Sequence, residues 1–188
     1  MTAANSKHHR KALIQTTIRL LRKQGYAATG LNEILKISKA PKGSLYYYFP
    51  GGKEELAAAS VSAASKTVLK TLEKLEGTTT TTSEFISRYC TLLRGWMAQS
   101  NYTEGCPIST TLLEMVPKSD VIKKAGQEGF ASWKSVFSRI LARDGLEMRA
   151  AQEKATLLMA SIQGALLLSR VEQSPGPLDA IINQKEIL

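Results

Sequence analysis

The chain has 188 residues, 43% of them hydrophobic and 22% charged, with 25 Lys/Arg against 16 Asp/Glu for a formal net charge of +9. That composition fits one ordinary globular domain, or a small domain sharing its core with a larger one, and excludes a disordered tail. Cys90 and Cys106 are too few for a disulfide framework or a metal site, and the longest apolar run, Ala155 to Val171, is broken by polar residues and short of the roughly 20 that cross a bilayer.

The polar start, Met1 to Arg10, predicts no secretory leader, so a cytoplasmic protein is expected. The charge is unevenly placed. Residues 1–54 hold ten Lys/Arg against Glu33 and Glu54, and the rest of the chain is within one charge of neutral. A basic segment on a near-neutral body predicts a polyanion-binding module, because neutralising phosphates releases their counterions.

Helical periodicity dominates the chain. Over Lys7 to Gln24, Leu13, Ile14, Thr17, Ile18, Leu20 and Leu21 mark one face with Arg and Lys opposite, and Gly25 ends the helix. Thr29 is the expected cap of a short second helix that turns Leu31, Ile34 and Leu35 inward and stops near Ile37. Ser38-Lys39-Ala40 is a turn, and Pro41 opens a third helix over Lys42 to Phe49. Pro50-Gly51-Gly52 breaks it. A long fourth helix starts near Lys53, with Glu54 and Glu55 at its N-terminal dipole, and ends by Gly77.

After the polar run Thr78 to Thr82, the spacing of Thr81 and Glu84 predicts a capping box for a helix over about 83–99. Pro107 opens a short helix ending near Met115, and Pro117 separates it from a long helix terminated by Asp144-Gly145. A helix over Ala150 to Val171 and a short one around Leu178 to Gln184 complete nine helices with no convincing strand.

Two short helices joined by a tight turn behind a longer one form a helix-turn-helix, whose second helix enters the major groove. Here that helix begins Pro-Lys-Gly-Ser. Lys42 can donate to guanine O6/N7, Gly43 lets the helix approach closely, and Ser44 can reach a base or a phosphate. Leu45 and Phe49, four apart, face the core. Tyr46, Tyr47 and Tyr48 fan around the helix and cannot all be buried; whether Tyr46 enters the core stays open, while Tyr47 and Tyr48 are expected at phosphates. Lys53 with the Gly51 and Gly52 amides is a second anion site. Thr29 and Asn32 can also meet the DNA backbone.

The stretch from Gly25-Tyr26 through Thr29-Gly30, Ile34, Ala40-Pro41-Lys42-Gly43-Ser44-Leu45-Tyr46-Tyr47-Tyr48-Phe49 and Lys53-Glu54-Glu55-Leu56 resembles the DNA-binding domain of TetR/AcrR-family repressors. Tyr48 stands where that family usually has His. Phe49-Pro-Gly-Gly-Lys, with Gly105-Cys106-Pro107-Ile108 and Gly164-Ala165-Leu166-Leu167-Leu168, is similar to the LmrA/YxaF-like branch. The resemblance implies an all-α protein: a helix-turn-helix domain over 1–52 and a helical regulatory and dimerisation domain over 53–188, connected by helix 53–76. It further implies a homodimer on a near-palindromic operator, released when a small hydrophobic or aromatic ligand enters the second domain.

The Ala155 to Val171 helix supports dimerisation independently, being apolar on more than one face. Ala160, Ser161, Gly164, Ala165 and Leu168 are small or apolar residues suited to packing against a second copy. Trp96, Met97, Met115, Phe130, Trp133, Phe137, Met159 and Gln163 are candidates for lining a ligand cavity, although such residues at helical spacing usually form plain core.

An enzyme is the main alternative, and the chain has no Walker loop, GxGxxG, HExxH or Gly-x-Ser-x-Gly. His8 and His9 sit in a fraying terminus, and Glu114, Glu128 and Glu153 are isolated carboxylates. No metal or cofactor is expected. A nonspecific architectural protein would share the charge but protect no discrete DNA site. A membrane-surface role for the first helix competes with its use in the helix-turn-helix core.

Overall fold

The structure is a computed structural model that describes residues 3–184, with side chains from His8 onward. Among the described residues there are nine helices and no strand: α1 Ala3–Ala28, α2 Leu31–Ser38, α3 Lys42–Tyr48, α4 Gly52–Glu76, α5 Thr82–Gln99, α6 Pro107–Met115, α7 Asp120–Arg143, α8 Met148–Glu172 and α9 Gly176–Asn183. No described helix is long and apolar enough to cross a membrane. The helices form two compact units. The first comprises the chain up to Lys66 together with Pro107–Gly129, and the second comprises Thr67–Cys106 together with the chain from Phe130 onward.

In the first unit, Leu13, Ile14 and Leu20 of α1, Ile34 of α2, Leu45 and Phe49 around α3, and Leu56 of α4 form one buried cluster. Each large apolar side chain fully buried there contributes about 1.5–3 kcal/mol. Gly25 interrupts α1 with φ +77°, a left-handed turn that glycine adopts freely, and residues 26–28 follow as a further helical turn. The expected Thr29 cap is not formed. Thr29 is 1% exposed and its hydroxyl donates to the Gly25 carbonyl at 2.6 Å, closing the interrupted turn, while Gly30 takes the cap position of α2 without a side-chain bond.

Lys39 ends α2 in the left-handed region, and the Ser38 hydroxyl accepts from the Ala40 amide at 3.3 Å, so the tight turn is held by its own polar side chain. Helix α6 completes the unit. The Thr110 hydroxyl donates to the Leu21 carbonyl at 3.1 Å, and the Glu114 carboxylate accepts from the amides of Tyr26 and Ala27 at 2.9 and 2.6 Å. The inclusion of 107–129 is not announced by the local sequence, and the 52/53 division expected from the motif falls within this unit.

In the second unit, Phe85, Ile86, Tyr89, Leu93, Val136, Phe137, Ile140, Leu158, Ile162 and Leu178 are buried. Phe137 meets both Phe85 and Tyr89 edge-on, with ring centroids 5.7 and 6.0 Å apart. The expected capping box at α5 is present in shifted form: the Thr81 hydroxyl accepts from the Glu84 amide at 3.2 Å, and the Glu84 carboxylate reaches back to the Thr80 amide at 2.9 Å. Arg94 of α5 pairs with Asp179 of α9 at 2.7 Å. Cys90 is fully buried, which pushes its thiol up to about 12.

Candidate nucleic-acid interface

The third helix is held to its unit by Leu45 and Phe49, both closed off from solvent, and its other side is open. Lys42 and Gly43 are exposed at its N-terminal end, and so is Asn32 early in α2. Tyr46 is 47% and Tyr47 76% exposed. Tyr48 is the tyrosine that turns inward: it packs on the cluster beside Phe49, and its hydroxyl is buried with no hydrogen-bond partner. This corrects the expectation that Tyr48 meets a phosphate. Tyr48 follows Leu45 by three and precedes Phe49 by one, so the helical phase that buries those two carries it inward. Tyr47 stacks edge-on against it at 4.9 Å, which keeps its own ring standing out from the helix.

Thr29, expected at the DNA backbone, is buried with its hydroxyl turned inward, and Ser44 is nearly closed off. The anion site expected at the start of α4 is also filled from within. The Gly51 amide donates to the Glu55 carboxylate at 2.8 Å and the Gly52 amide to the Phe49 carbonyl at 2.8 Å. Glu55 folds back onto the first turn of its own helix and takes the donor a phosphate would need.

Lys53 sits apart from those amides. Its ammonium lies 4.2 Å over the Tyr26 ring and 3.5 Å from the Ala27 carbonyl. Partial burial lowers its ammonium below the ordinary lysine value, and the Glu114 charge opposes that shift. Burial raises the Tyr26 phenol, with the Glu54 charge adding to it. Arg10, which the motif did not single out, lies with its guanidinium 5.6 Å over the Phe49 ring, beside the end of α3. Its clue in the sequence was only its place in the basic opening of α1.

The long helix α8 presents a second kind of surface. Leu158, Ile162, Ala165, Leu166 and Ser169 face the core of their own unit. Ala165 was expected on the packing face for a second copy; its place on the inward stripe, three after Ile162 and seven after Leu158, turns it away. Ala160 and Ser161 are exposed, Gly164 has open space where a side chain would stand, and Leu157, Leu168 and Val171 are 66%, 49% and 72% exposed. Of the residues considered for a ligand cavity, Met97, Trp133 and Phe137 are buried, while Trp96, Phe130, Met159 and Gln163 are partly so, all in the second unit. Met115 belongs to the first unit. Trp133 packs edge-on against Phe130 at 5.4 Å.

Comparison with known proteins covers most of the chain. Residues 13–60 match the family model "Bacterial regulatory proteins, tetR family". Residues 82–184 match "Transcriptional regulator LmrA/YxaF-like, C-terminal domain". The chain is 34% identical to the HTH-type transcriptional regulator LmrA of Bacillus subtilis (strain 168), over 90% of each chain. It is 33% identical to the uncharacterized HTH-type transcriptional regulator YxaF of the same organism, over 95% of this chain and 94% of YxaF. Its fold is similar to that of the regulatory protein TetR from Rhodobacter sphaeroides, with a TM-score of 0.81 at 22% identity over 91% of this chain and 93% of that one. A helix-turn-helix with one open side and a matching helical C-terminal domain, shared along nine-tenths of a regulator's length, places this chain in the TetR family of DNA-binding transcriptional regulators, which are not enzymes, in its LmrA/YxaF-like branch.

Proposed function

We propose that this protein is a cytoplasmic, homodimeric repressor that binds a near-palindromic operator and is released by a small apolar or aromatic ligand. The observation that carries the reading is the open edge of α3, where Lys42, Gly43, Tyr46 and Tyr47 stand in solvent within the strongly basic first 54 residues. In this reading Lys42 reads a base edge, and Gly43 lets the helix sink into the groove. Tyr46, Tyr47, Asn32 and Lys53 hold the phosphates. Residues 1–52, with Lys53 at the head of the connecting helix, carry the DNA contacts, and the rest of 53–188 carries dimerisation and ligand response.

Homodimerisation is supported by the exposed aliphatic face of α8, which a second copy of the same face would cover with two-fold symmetry. Such a dimer sets two α3 helices into half-sites about 34–36 Å apart. The buried aromatic and Met residues of the second unit supply apolar surroundings for a ligand of that class. Ligand binding derepresses only as far as its affinities for the DNA-competent and released states differ.

The test is a nuclease footprint on DNA flanking the protein's own coding region, at physiological salt with competitor DNA. A discrete protected site with two-fold symmetry is expected. Uniform protection, or none, would overturn the repressor reading in favour of a nonspecific DNA-coating protein. Ligand screening on that fragment follows, and a compound that binds without changing operator affinity would not be the inducer.

A further inference from the structure

The joint between α1 and α2 is held by two side chains of opposite charge that are remote from it in sequence. Glu114, in the last turn of α6, accepts from two successive amides of the joint, Tyr26 at 2.9 Å and Ala27 at 2.6 Å. Lys53, in the first turn of α4, lays its ammonium over the Tyr26 ring and toward the Ala27 carbonyl. Gly25 makes the arrangement fit. Its left-handed backbone aims the following two amides, and a Cβ there would overlap the Glu114 carboxylate. The neighbouring residue of α4, Glu54, is itself bonded by the Ser119 hydroxyl. The stretch 107–129 therefore grips α1, the joint and the start of α4 around the place where Lys53 rests.

A lysine side chain on an open helix turn spreads over many rotamers, and fixing it at a phosphate costs conformational entropy. A ring face, a carbonyl and a nearby carboxylate reduce that spread before DNA arrives. The Glu114 oxygens are already taken by the two amides in charge-assisted bonds. Its charge therefore draws the ammonium toward the joint while the carboxylate is satisfied elsewhere.

We propose that Glu114 is a positioning residue for DNA binding, which fixes the α1–α2 joint and thereby the place at which Lys53 presents its ammonium to a DNA phosphate. Glu114 itself does not touch the DNA. The inference rests on the reading of Lys53 as a phosphate contact, and the experiment separates the two.

Wild type, E114Q, E114D, K53A and the E114Q/K53A double variant are compared on two probes across a salt series. One probe is a duplex recovered by selection from a randomised pool, and the other is a mixed-sequence duplex of equal length. Thermal melting of each variant is recorded alongside. K53A should weaken binding to both probes and flatten the salt slope by about one per protomer. E114Q should weaken both by about fivefold when Lys53 is present and have little further effect in the K53A background. E114D, which keeps the charge, should restore the wild-type salt slope and serves if E114Q melts too low to assay. Equal loss from E114Q with and without Lys53 would overturn the proposal, because the joint would then act on the whole head. Tighter binding by E114Q would also overturn it, showing the carboxylate to be only a competitor for the ammonium. If K53A binds as wild type, the phosphate reading of Lys53 fails and the proposal falls with it. If K53A weakens binding but E114Q does not, the positioning role alone fails.

Discussion

Helices α3 and α8 both leave large apolar side chains in solvent, yet they ask for different partners. On α3 the exposed rings are tyrosines, whose apolar bodies end in hydroxyls, with Lys42 exposed on the same short helix. On α8 the exposed aliphatic side chains are Leu157, Leu167, Leu168 and Val171, with the small residues Ala160 and Ser161 between them, and each of the four ends in methyl groups. An amphipathic, cationic surface gains most from a hydrated polyanion, because each phosphate contact adds charge-assisted bonds and releases counterions. An aliphatic stripe gains only by losing water, which needs an equally apolar cover. Exposed hydrophobicity alone does not identify a partner; the atoms at its tips do.

The largest way to break the comparison is to charge the aliphatic face. Leu168→Glu should raise the dimer dissociation constant by about a hundredfold, because a two-fold interface meets the new carboxylate twice and must desolvate both copies. Sedimentation would show a monomer at concentrations where wild type is dimeric, with circular dichroism unchanged, and an unaltered dimer would place the interface elsewhere. On the cationic face, Lys42→Ala should cost about 1–3 kcal/mol on the operator and relax preference at one base position. Equal loss on operator and mixed-sequence DNA would assign Lys42 to phosphate alone. Tyr47→Phe is smaller, about 0.5–1.5 kcal/mol for one hydroxyl, and should leave dimerisation untouched.

A control sharpens the contrast by touching neither face. Thr81→Ala removes the α5 cap and should lower stability by about 1 kcal/mol without changing DNA affinity or dimerisation. The same corner has a pH dependence. The Thr80 amide holds the Glu84 carboxyl below its ordinary value, with Arg88 adding to this against some desolvation. Burial pushes Asp144 up, but donation from the Thr82 amide at 2.7 Å, the Thr82 side chain and the Arg143 charge together outweigh it, and the carboxyl lies below its ordinary value. Both groups are more acidic folded than unfolded. The stability they give is therefore present above the ordinary carboxylate range and lost as pH falls through their folded values. The melting temperature should begin to fall as pH drops below about 4, and less steeply in Glu84→Gln.

Helix limits were legible because the chain punctuates itself: Gly25, Gly77, Pro107 and Asp144-Gly145 stand at or within one turn of observed breaks. Tyr48 was equally legible in principle, since its phase relative to Leu45 and Phe49 puts it inside, but three identical residues in a row hid that phase. The filled Gly51 and Gly52 amides depended on which way Glu55 folds, a choice between solvent and its own helix turn that spacing does not make. Glu114 was beyond reach, 88 residues from the amide it binds and with no neighbouring carboxylate to mark it. Local patterns record what a residue does within its own turn, and long-range hydrogen bonds leave no period.

The closure of the first unit by 107–129 bears on how such a head is inherited. A piece cut after residue 52 would carry the reading helix but leave the Tyr26 and Ala27 amides without their acceptor and the Leu21 carbonyl without the Thr110 hydroxyl. Grafting this head onto another body would therefore require two exchanges, one at each end of the intervening 67–106.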